Sequence, residues 1–313
     1  MSALRELVAA RDRLILTAEA PAFDGGDLEA FNERIAEMAQ WVDAVNATDC
    51  TAAHPHASNV AVAIALLCAG AEPILQVVCR DKNRIALQAD IVGAALHGVE
   101  NICCLTGDDV TAGDEPEARR VFDLDGPQLI SVATGLASGH YLSGRSIDPP
   151  PRLFVGAVEN AAAPPLEHRA ERAAKKIAAG ARFLQLQIAY HPERLRRFLA
   201  ALETQGLADR VALLPTIPLV KGARSLRYMD KNVPGISVPR ETIERVERYL
   251  DQAEAAYQLA LEQARGALAL PGVRGLHVTD FRRDRALSRL CEDLDIPRKE
   301  EREANAHRSQ LAV

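Results

Sequence analysis

Short apolar runs rich in β-branched residues alternate with longer amphipathic stretches along the whole chain. Most of these runs are continuously apolar, which is typical of strands that are buried on both faces of a parallel sheet. The runs predicted to be strands are Arg13–Ala20, Val42–Asp49, Pro73–Asp81, Asn101–Asp108, Arg152–Glu159, Arg182–Tyr190, Val211–Pro218 and Val273–Phe281. Eight strands, most of them followed by a helical pattern, predict a single (β/α)8 TIM barrel. A doubly wound open sheet is the alternative, but no G-x-G-x-x-G sequence follows the first strand, which disfavours a dinucleotide-binding sheet.

The stretches between the strands have the spacing of amphipathic helices. Helices are predicted over Leu28–Gln40, Asn59–Ala69, Arg84–Gly98, Leu166–Ala179, Pro192–Thr204 and Pro239–Leu268, the last being long enough for two helices. Two stretches, Thr111–Leu124 and Ser138–Pro151, break this rhythm and are predicted to be loops or lids over a face of the barrel. We expect residues 1–295 to form the catalytic barrel domain. Residues 296–313 are expected to form a polar tail that either frays or packs on a neighbouring surface.

Charge and hydropathy exclude several classes of protein. The chain has 313 residues, with 37 Lys and Arg against 43 Asp and Glu, and this acidic balance argues against a nucleic-acid-binding protein. The longest apolar stretch, Val60–Gly70, is about half of the ~20 residues that a membrane span needs, and residues 1–13 lack the apolar core of a signal peptide. Six cysteines without C-x-x-C spacing are expected to be free thiols. A cytoplasmic location without a membrane partner is therefore expected.

Polar residues end most of the predicted strands, and the active sites of such barrels lie at these strand ends. The residues are Glu19, Asp49, Asp81, Asp108, Glu159, Gln187, Thr216 and Asp280. For any single aspartate, a local role in a turn is the alternative interpretation. Glu19 is different because glutamate is a poor turn former. Its sequence neighbours Leu16, Ala18 and Ala20 are apolar, so we expect burial to favour the protonated form and Glu19 to act as a general acid near neutral pH.

Histidines offer little evidence for a metal site. His54 and His56 flank a proline in a predicted loop, and no third ligand can be identified, so no metal is predicted. His277 lies inside a predicted strand and is expected to be structural.

The segment CRDKNRIALQADIVGAALHGVENICCLTGDD, from Cys79 to Asp109, closely resembles the methylenetetrahydrofolate reductase family. The shorter, prokaryotic-type branch of the family is the most similar. The resemblance continues in GDEPEARRVFDLD, in TAEAPAF at Thr17, in VDAVNATD at Val42, in KKIAAGARFLQLQ at Lys175 and in NVPGISVP at Asn232. Because these motifs occur in the expected order from Leu14 to about Asp284, the resemblance covers nearly the whole chain.

The resemblance implies a (β/α)8 barrel that binds FAD and reduces 5,10-methylenetetrahydrofolate to 5-methyltetrahydrofolate with NADH or NADPH. By motif position, Glu19 corresponds to the general acid that protonates N10 of the folate. Asp108 corresponds to the aspartate beside the pterin and the flavin, and Gln187 to a glutamine that contacts the pterin. Tyr190 follows Gln187 and is expected to line the same pocket. The positions expected to bind the cofactor are Thr48, Arg80, Asp81, Gly107 and Lys176. Of these, Thr48 and Lys176 correspond to family positions that approach the flavin and its phosphates.

Two departures from the family pattern concern the flavin. A tyrosine and a histidine are usual just after the fifth strand, where this chain has Val158–Ala162, and Gln76 stands where a histidine is common on the third strand. Lost contacts of about 1 kcal/mol each would weaken binding roughly tenfold per ~1.4 kcal/mol, so we expect FAD to be held weakly. The alternatives are direct hydride transfer without flavin, a pterin-binding methyltransferase, and a folate-binding subunit without catalytic activity. A homo-oligomer or an electron-donating partner subunit is also compatible with the sequence.

Overall fold

A computed structural model describes residues 2–282 and 284–311. Within these residues, eight parallel strands close into a barrel in the order of the sequence, with β8 pairing β1. The strands are β1 (Ile15–Glu19), β2 (Ala44–Ala47), β3 (Pro73–Val78), β4 (Asn101–Leu105), β5 (Phe154–Glu159), β6 (Phe183–Leu186), β7 (Ala212–Leu219) and β8 (Gly275–Asp280). Each strand lies inside or nearly inside its predicted run, so the prediction of a (β/α)8 barrel is confirmed.

The helices cover the outside of the barrel and continue past its last strand. In the described part of the chain they are α1 (Ala3–Ala10), α2 (Leu28–Ala39), α3 (Asn59–Cys68), α4 (Arg84–Leu96), α5 (Gly126–Ala137), α6 (Glu167–Ala179), α7 (Pro192–Thr204), α8 (Ala223–Asn232), α9 (Arg240–Glu247), α10 (Gln252–Leu268), α11 (Ala286–Asp293) and α12 (Lys299–Leu311). The six predicted helical stretches are confirmed, and Pro239–Leu268 contains two helices, α9 and α10.

Helix α5 was not predicted, although its start carries a clear signal. The Asp125 carboxylate accepts a hydrogen bond from the Gln128 backbone N–H, and the Gln128 side chain accepts one from the Asp125 N–H, with Pro127 in the first turn. This reciprocal capping satisfies two backbone donors that would otherwise lack partners. The two irregular stretches flank this helix and lie at opposite ends of the barrel: Thr111–Leu124 follows β4, whereas Ser138–Pro151 precedes β5.

The barrel interior changes from apolar to polar along its axis. At the amino ends of the strands, Ile15, Ile74, Phe154 and Phe183 pack together, and Leu4 of α1 closes this end. Gly156 leaves space for the Phe183 ring, since a Cβ there would lie 2.3 Å from a ring carbon. Further along the strands the buried interior is polar. The apolar end thus forms a floor beneath a polar carboxyl-end mouth.

Part of the polar tail is an ordered helix that packs on the barrel. Arg302 of α12 is buried, with Nη1 3.1 Å from Asp43 Oδ2 and Nη2 donating to the Trp41 carbonyl oxygen. Asp43 also accepts hydrogen bonds from Arg13 and from the Leu16 N–H. The Lys299 backbone N–H also donates to the Gln40 carbonyl oxygen at 2.8 Å, which attaches this helix to the segment before β2. No helix in the described ranges is both long and apolar enough to cross a membrane.

Candidate active site

A cavity of about 340 Å³ opens at the carboxyl ends of the strands. Its lining includes six of the eight strand-end residues singled out in the sequence, namely Glu19, Asp49, Asp108, Glu159, Gln187 and Thr216. Asp81 and Asp280 end their runs outside this lining. The three residues assigned to chemistry or to pterin binding, Glu19, Asp108 and Gln187, therefore share one cavity.

The Glu19 carboxylate faces polar groups, contrary to the apolar frame expected from its sequence neighbours. Its Oε1 lies 3.5 Å from Gln76 Nε2 and 3.8 Å from His277 Nε2, and its side chain is 24% exposed. The expectation failed because side chains alternate across a strand. Leu16, Ala18 and Ala20 belong to the main hydrophobic cluster, whereas Thr17 and Glu19 point into the barrel.

His277 belongs to a buried polar network beneath the cavity. Its Nδ1 lies 2.8 Å from Thr17 Oγ1 and 3.3 Å from Gln185 Nε2. The Gln185 and Asn46 side-chain amides exchange two hydrogen bonds, of 2.8 and 2.9 Å. His277 has the structural role predicted for it, but it also lines the cavity. Side chains alternate between the two faces of β8, which places His277 and Thr279 on the inner face. This alternation was the sequence signal that could have predicted the second role.

Asp108 sits on a turn that only glycine accommodates well. Gly107 has a φ of 92°, and a Cβ at this position would lie 2.5 Å from Val78 Cγ1. Both residues line the cavity, as does Arg80. Burial raises the pKa of the Asp108 carboxyl group, and the Arg80 guanidinium partly opposes this shift.

The predicted cofactor residue Arg80 is already engaged by the protein. It is 2% exposed, and its Nε and Nη2 donate to the two carboxylate oxygens of Asp81 at 2.8 and 2.7 Å. Nη2 also donates to the Cys50 carbonyl oxygen at 2.9 Å. Asp81 therefore orients Arg80 from outside the cavity lining.

The β2 end contributes Asp49 to the cavity. Burial raises the pKa of the Asp49 carboxyl group, whereas Lys82 acts to lower it. Its Oδ2 accepts hydrogen bonds from Lys82 Nζ and from the Val78 N–H, both at 3.0 Å. Thr48, a predicted flavin contact, is buried beside Asp49 and lies outside the cavity lining.

The altered segment after β5 is held together by a buried ion pair. Lys176 Nζ donates to Glu159 Oε2 and to the Val158 carbonyl oxygen, each at 2.6 Å. The side chains of Lys176 and Glu159 are 8% and 1% exposed. Asn160 donates through Nδ2 to the Gly235 carbonyl oxygen at 2.9 Å, which ties the segment after α8 to the cavity rim. Lys176 thus lies behind Glu159 and outside the cavity lining.

Tyr190 is also placed away from the cavity. It is buried, and its hydroxyl group donates to Met229 Sδ at 3.6 Å. Burial raises the pKa of this phenol. Met229 lines the mouth cavity, whereas Tyr190 lines a different one of about 380 Å³. Tyr190 therefore lies outside the mouth lining and contacts it through Met229.

In the ranges for which side chains are described, no group of three or more His, Cys, Asp or Glu residues could hold a metal ion. The polar lining of the mouth cavity includes carboxylates, side-chain amides, Arg80 and His277.

Two comparisons with known proteins bear on this chain, one on its fold and one on its family. A similar solved structure is described as an uncharacterized protein from Clostridium thermocellum that binds two copies of 5-methyl-5,6,7,8-tetrahydrofolic acid. It is 15% identical, superposes with a TM-score of 0.63, and the match covers 93% of this chain and 98% of that one. At this identity the likeness shows a shared fold. The model of the family described as methylenetetrahydrofolate reductase matches residues 19–295, and the chain therefore belongs to that family.

Proposed function

We propose that this protein reduces 5,10-methylenetetrahydrofolate to 5-methyltetrahydrofolate, using a hydride from NADH or NADPH. The observation that carries the proposal is the convergence of Glu19, Asp108 and Gln187 on one cavity at the barrel mouth in a chain of this family. A proton donor, a negative charge and a bidentate amide are the groups that this reaction requires from a protein.

The cavity can hold the pterin ring of the substrate. Its volume of about 340 Å³ lies near the lower end of the ~300–1,000 Å³ typical of small-molecule sites. The Gln187 amide offers both a donor and an acceptor, which matches the alternating edge of a pterin ring. The Gln187 backbone N–H donates to the Glu159 carbonyl oxygen at 2.8 Å, and Gln187 Oε1 accepts a hydrogen bond from the Ile188 N–H at 2.9 Å. These contacts orient the side chain and leave the amide NH2 group and the second lone pair of Oε1 for the substrate.

Glu19 is the group that protonates N10 as the five-membered ring of the substrate opens. Once the proton has left, the Glu19 carboxylate can accept hydrogen bonds from Gln76 Nε2 and from His277 Nε2, now 3.5 and 3.8 Å away. Such contacts are often long in a ligand-free site and shorten in the complex. Stabilising the carboxylate makes Glu19 a better acid at the moment of transfer.

Asp108 stabilises the cation that ring opening creates. The substrate becomes an iminium ion at N5, and a nearby carboxylate lowers the free energy of that charge in a site from which water is partly excluded. Arg80 faces Asp108, but its guanidinium group is engaged by Asp81. The positive charge of Arg80 favours the ionised form of Asp108, and this carboxylate is the form that acts on the substrate.

The residues around the mouth do not fit FAD as a tightly held cofactor. Lys176, expected near the flavin phosphates, is bonded to Glu159 and to the Val158 carbonyl oxygen behind the cavity. Arg80 is bound to Asp81 and to the Cys50 carbonyl oxygen. Asn160 donates a hydrogen bond to the Gly235 carbonyl oxygen. It lies in the segment where the family usually has aromatic and imidazole groups.

A transient nicotinamide suits this rim better than a resident flavin. A co-substrate that leaves in every turnover needs only the affinity implied by KM values of about 1 μM to 1 mM. The reduced nicotinamide supplies the hydride that converts the iminium carbon to a methyl group. This chain's contribution is to hold the folate, to deliver the proton and to balance the charge.

The test is anaerobic turnover of 5,10-methylenetetrahydrofolate by purified protein freed of flavin, with NADH or NADPH and with or without added FAD. Formation of 5-methyltetrahydrofolate without FAD is the expected result. No product under any of these conditions, together with normal folate binding, would instead identify a folate-binding protein without reductase activity.

A further inference from the structure

A second cavity, of about 490 Å³, lies at the end of the barrel opposite the mouth. It is enclosed by α1, by the ends of α5 and α6, and by the segments that lead into β5, β6, β7 and β8. Its lining includes five arginines, Arg5, Arg11, Arg182, Arg210 and Arg274, and a single carboxylate, Asp209. In a chain with a net charge of −6, this concentration of positive charge is distinctive. We call it the basal arginine cavity.

Only one of these arginines has a described carboxylate partner. Arg11 pairs with Asp209, with Nη1 2.8 Å from Oδ1. Arg5 donates through Nη2 to the Leu153 carbonyl oxygen, so its charge is not neutralised. For Arg182, Arg210 and Arg274, no side-chain hydrogen bond or ion pair occurs with any residue whose side chain is described.

Two of the guanidinium groups have buried nitrogen atoms that lack partners. Arg274 Nη2 and Arg5 Nε are inaccessible to solvent and make no hydrogen bond within the described structure. Burial, followed by repulsion from Arg11, lowers the pKa of Arg274, and attraction to Asp12 opposes this shift only in part. Buried polar groups in folded proteins are nearly always satisfied, and an unpaired buried charge is strongly unfavourable. An anion in this cavity would balance the positive charge of both guanidinium groups, since other parts of Arg5 and Arg274 line it.

We propose that the basal arginine cavity binds a small anion that carries two or more phosphate groups. Guanidinium groups match phosphate oxygens in a bidentate geometry, and four cations without a carboxylate partner call for a ligand with more than one negative charge. Val8, Leu153 and Val155 supply an apolar part of the wall, which can cover an organic group. The volume also falls within the ~300–1,000 Å³ of small-molecule sites.

The opposing explanation is that the arginines only compensate helix dipoles. Helix α5 ends at Ala137 and α6 is capped by Gly180, and both residues line the cavity. The carboxyl ends of helices carry partial negative charge, which attracts arginine without any ligand. This explanation predicts a lower stability on loss of an arginine but no saturable binding of phosphates.

The two sources of such a ligand are a nucleotide and an inorganic polyphosphate. Isothermal titration calorimetry of the full chain with ATP and with tripolyphosphate, at near-physiological salt, distinguishes these two sources. Binding of both assigns the site to the phosphate chain alone, whereas binding of ATP only shows that the apolar wall holds the nucleoside. If neither binds at millimolar concentration, the proposal is overturned.

Variants then locate the site. Arg182→Gln and Arg274→Gln should each weaken binding about tenfold or more, as expected for the loss of a charge-assisted contact. Arg197→Gln, which removes an exposed arginine of α7, should leave the affinity within about twofold. Arg182 is itself exposed, so its variant keeps the test valid if Arg274→Gln does not fold.

Equal weakening in all three variants would indicate non-specific charge attraction and would overturn the proposal. Binding that is unchanged in Arg182→Gln and Arg274→Gln would do the same, because it would place the ligand elsewhere. Saturating 5-methyltetrahydrofolate should not compete, since the mouth lies at the other end of the barrel.

Discussion

His277 Nε2 lies 3.8 Å from Glu19 Oε1, and the two residues come from the last and first strands of the barrel. The register of the closing pair places His277 directly beside Thr17, two residues before Glu19. Thr17 Oγ1 lies 2.8 Å from Nδ1 of the same ring, which fixes the orientation of the imidazole. The closure of the barrel therefore positions a ring nitrogen toward the proposed acid.

Replacement of Glu19 tests the proposed proton transfer. Glu19→Gln keeps the shape of the side chain but removes the proton donor, and we expect turnover of methylenetetrahydrofolate to fall by roughly 10²–10⁴. Folate binding, measured by titration with 5-methyltetrahydrofolate, should change little. Glu33→Gln, on the exposed face of α2, is the control and should retain full activity. Near-normal turnover in Glu19→Gln would remove Glu19 from the mechanism.

Replacement of Asp108 should separate activity from stability. The pKa of Asp108 is raised by burial above its ordinary value of 3.8, so the folded chain binds this proton more readily than the unfolded chain does. The free energy of unfolding therefore falls as the pH rises from 3.8 through the raised pKa. Asp108→Asn cannot ionise and should be more stable than the parent at pH 7, while its turnover falls about a hundredfold.

Thermal unfolding of the parent and of Asp108→Asn at pH 4 and pH 7 tests the predicted direction of the stability difference. The advantage of Asp108→Asn should be present at pH 7 and should shrink toward pH 4. An Asn variant that is less stable at pH 7 would mean that the Asp108–Arg80 attraction outweighs burial.

The strand ends that meet at the mouth cavity could be predicted from sequence because of their position alone. Glu19, Asp108 and Gln187 end apolar runs, and barrel closure brings such ends together. The surroundings of each side chain could not be predicted in the same way. Leu16 and Ala18 precede Glu19 but face the helices, whereas Gln76 and His277, which approach its carboxylate, come from other strands. Contacts across a barrel depend on register, which a single sequence does not specify.

The ion-pair partner of Lys176 could not be predicted from the sequence either. The motif implied a phosphate contact, whereas the side chain lies 2.6 Å from Glu159, a strand-end carboxylate from the preceding β-strand. We therefore expect Lys176→Met to act on stability. Loss of one partner of a buried pair typically costs ~3–5 kcal/mol, and Arg169, 3.8 Å from Glu159, should limit the loss to about 3 kcal/mol.

Chemical denaturation of Lys176→Met beside Lys175→Met measures this cost. Lys175 is the exposed neighbour on the same helix, and its variant should lie within ~0.5 kcal/mol of the parent. Equal stability of the two variants, with a lower affinity for FAD in Lys176→Met only, would restore the phosphate-binding role.

Arg302 is the buried side chain by which the described part of the polar tail contributes to stability. Arg302→Gln removes a buried guanidinium group from Asp43 and from the Trp41 carbonyl oxygen. We expect a loss of about 1–3 kcal/mol in the free energy of unfolding, because Arg13 still pairs with Asp43. Glu301→Gln, at an exposed neighbouring position, is the control. If both variants unfold at the same denaturant concentration as the parent, α12 is dispensable for the barrel.

The tail was difficult to predict because its helix is almost entirely polar. Residues 297–313 lack the apolar stripe that identifies a helix on a core, and a single buried arginine leaves no periodic signal. Helix α5 was difficult to predict for a different reason. It lies between two irregular stretches, and the Asp125–Gln128 capping box is the main local signal for a helix there.

The most direct test of the proposed function follows the hydride itself. Flavin-free protein is mixed anaerobically with 5,10-methylenetetrahydrofolate and a nicotinamide deuterated at C4 on either face, in ordinary water, and the product is analysed by mass spectrometry. With one of the two labelled faces, we predict 5-methyltetrahydrofolate that carries one deuterium in its methyl group. No product in the absence of FAD, or a methyl group without deuterium from either face, would contradict direct reduction by this chain.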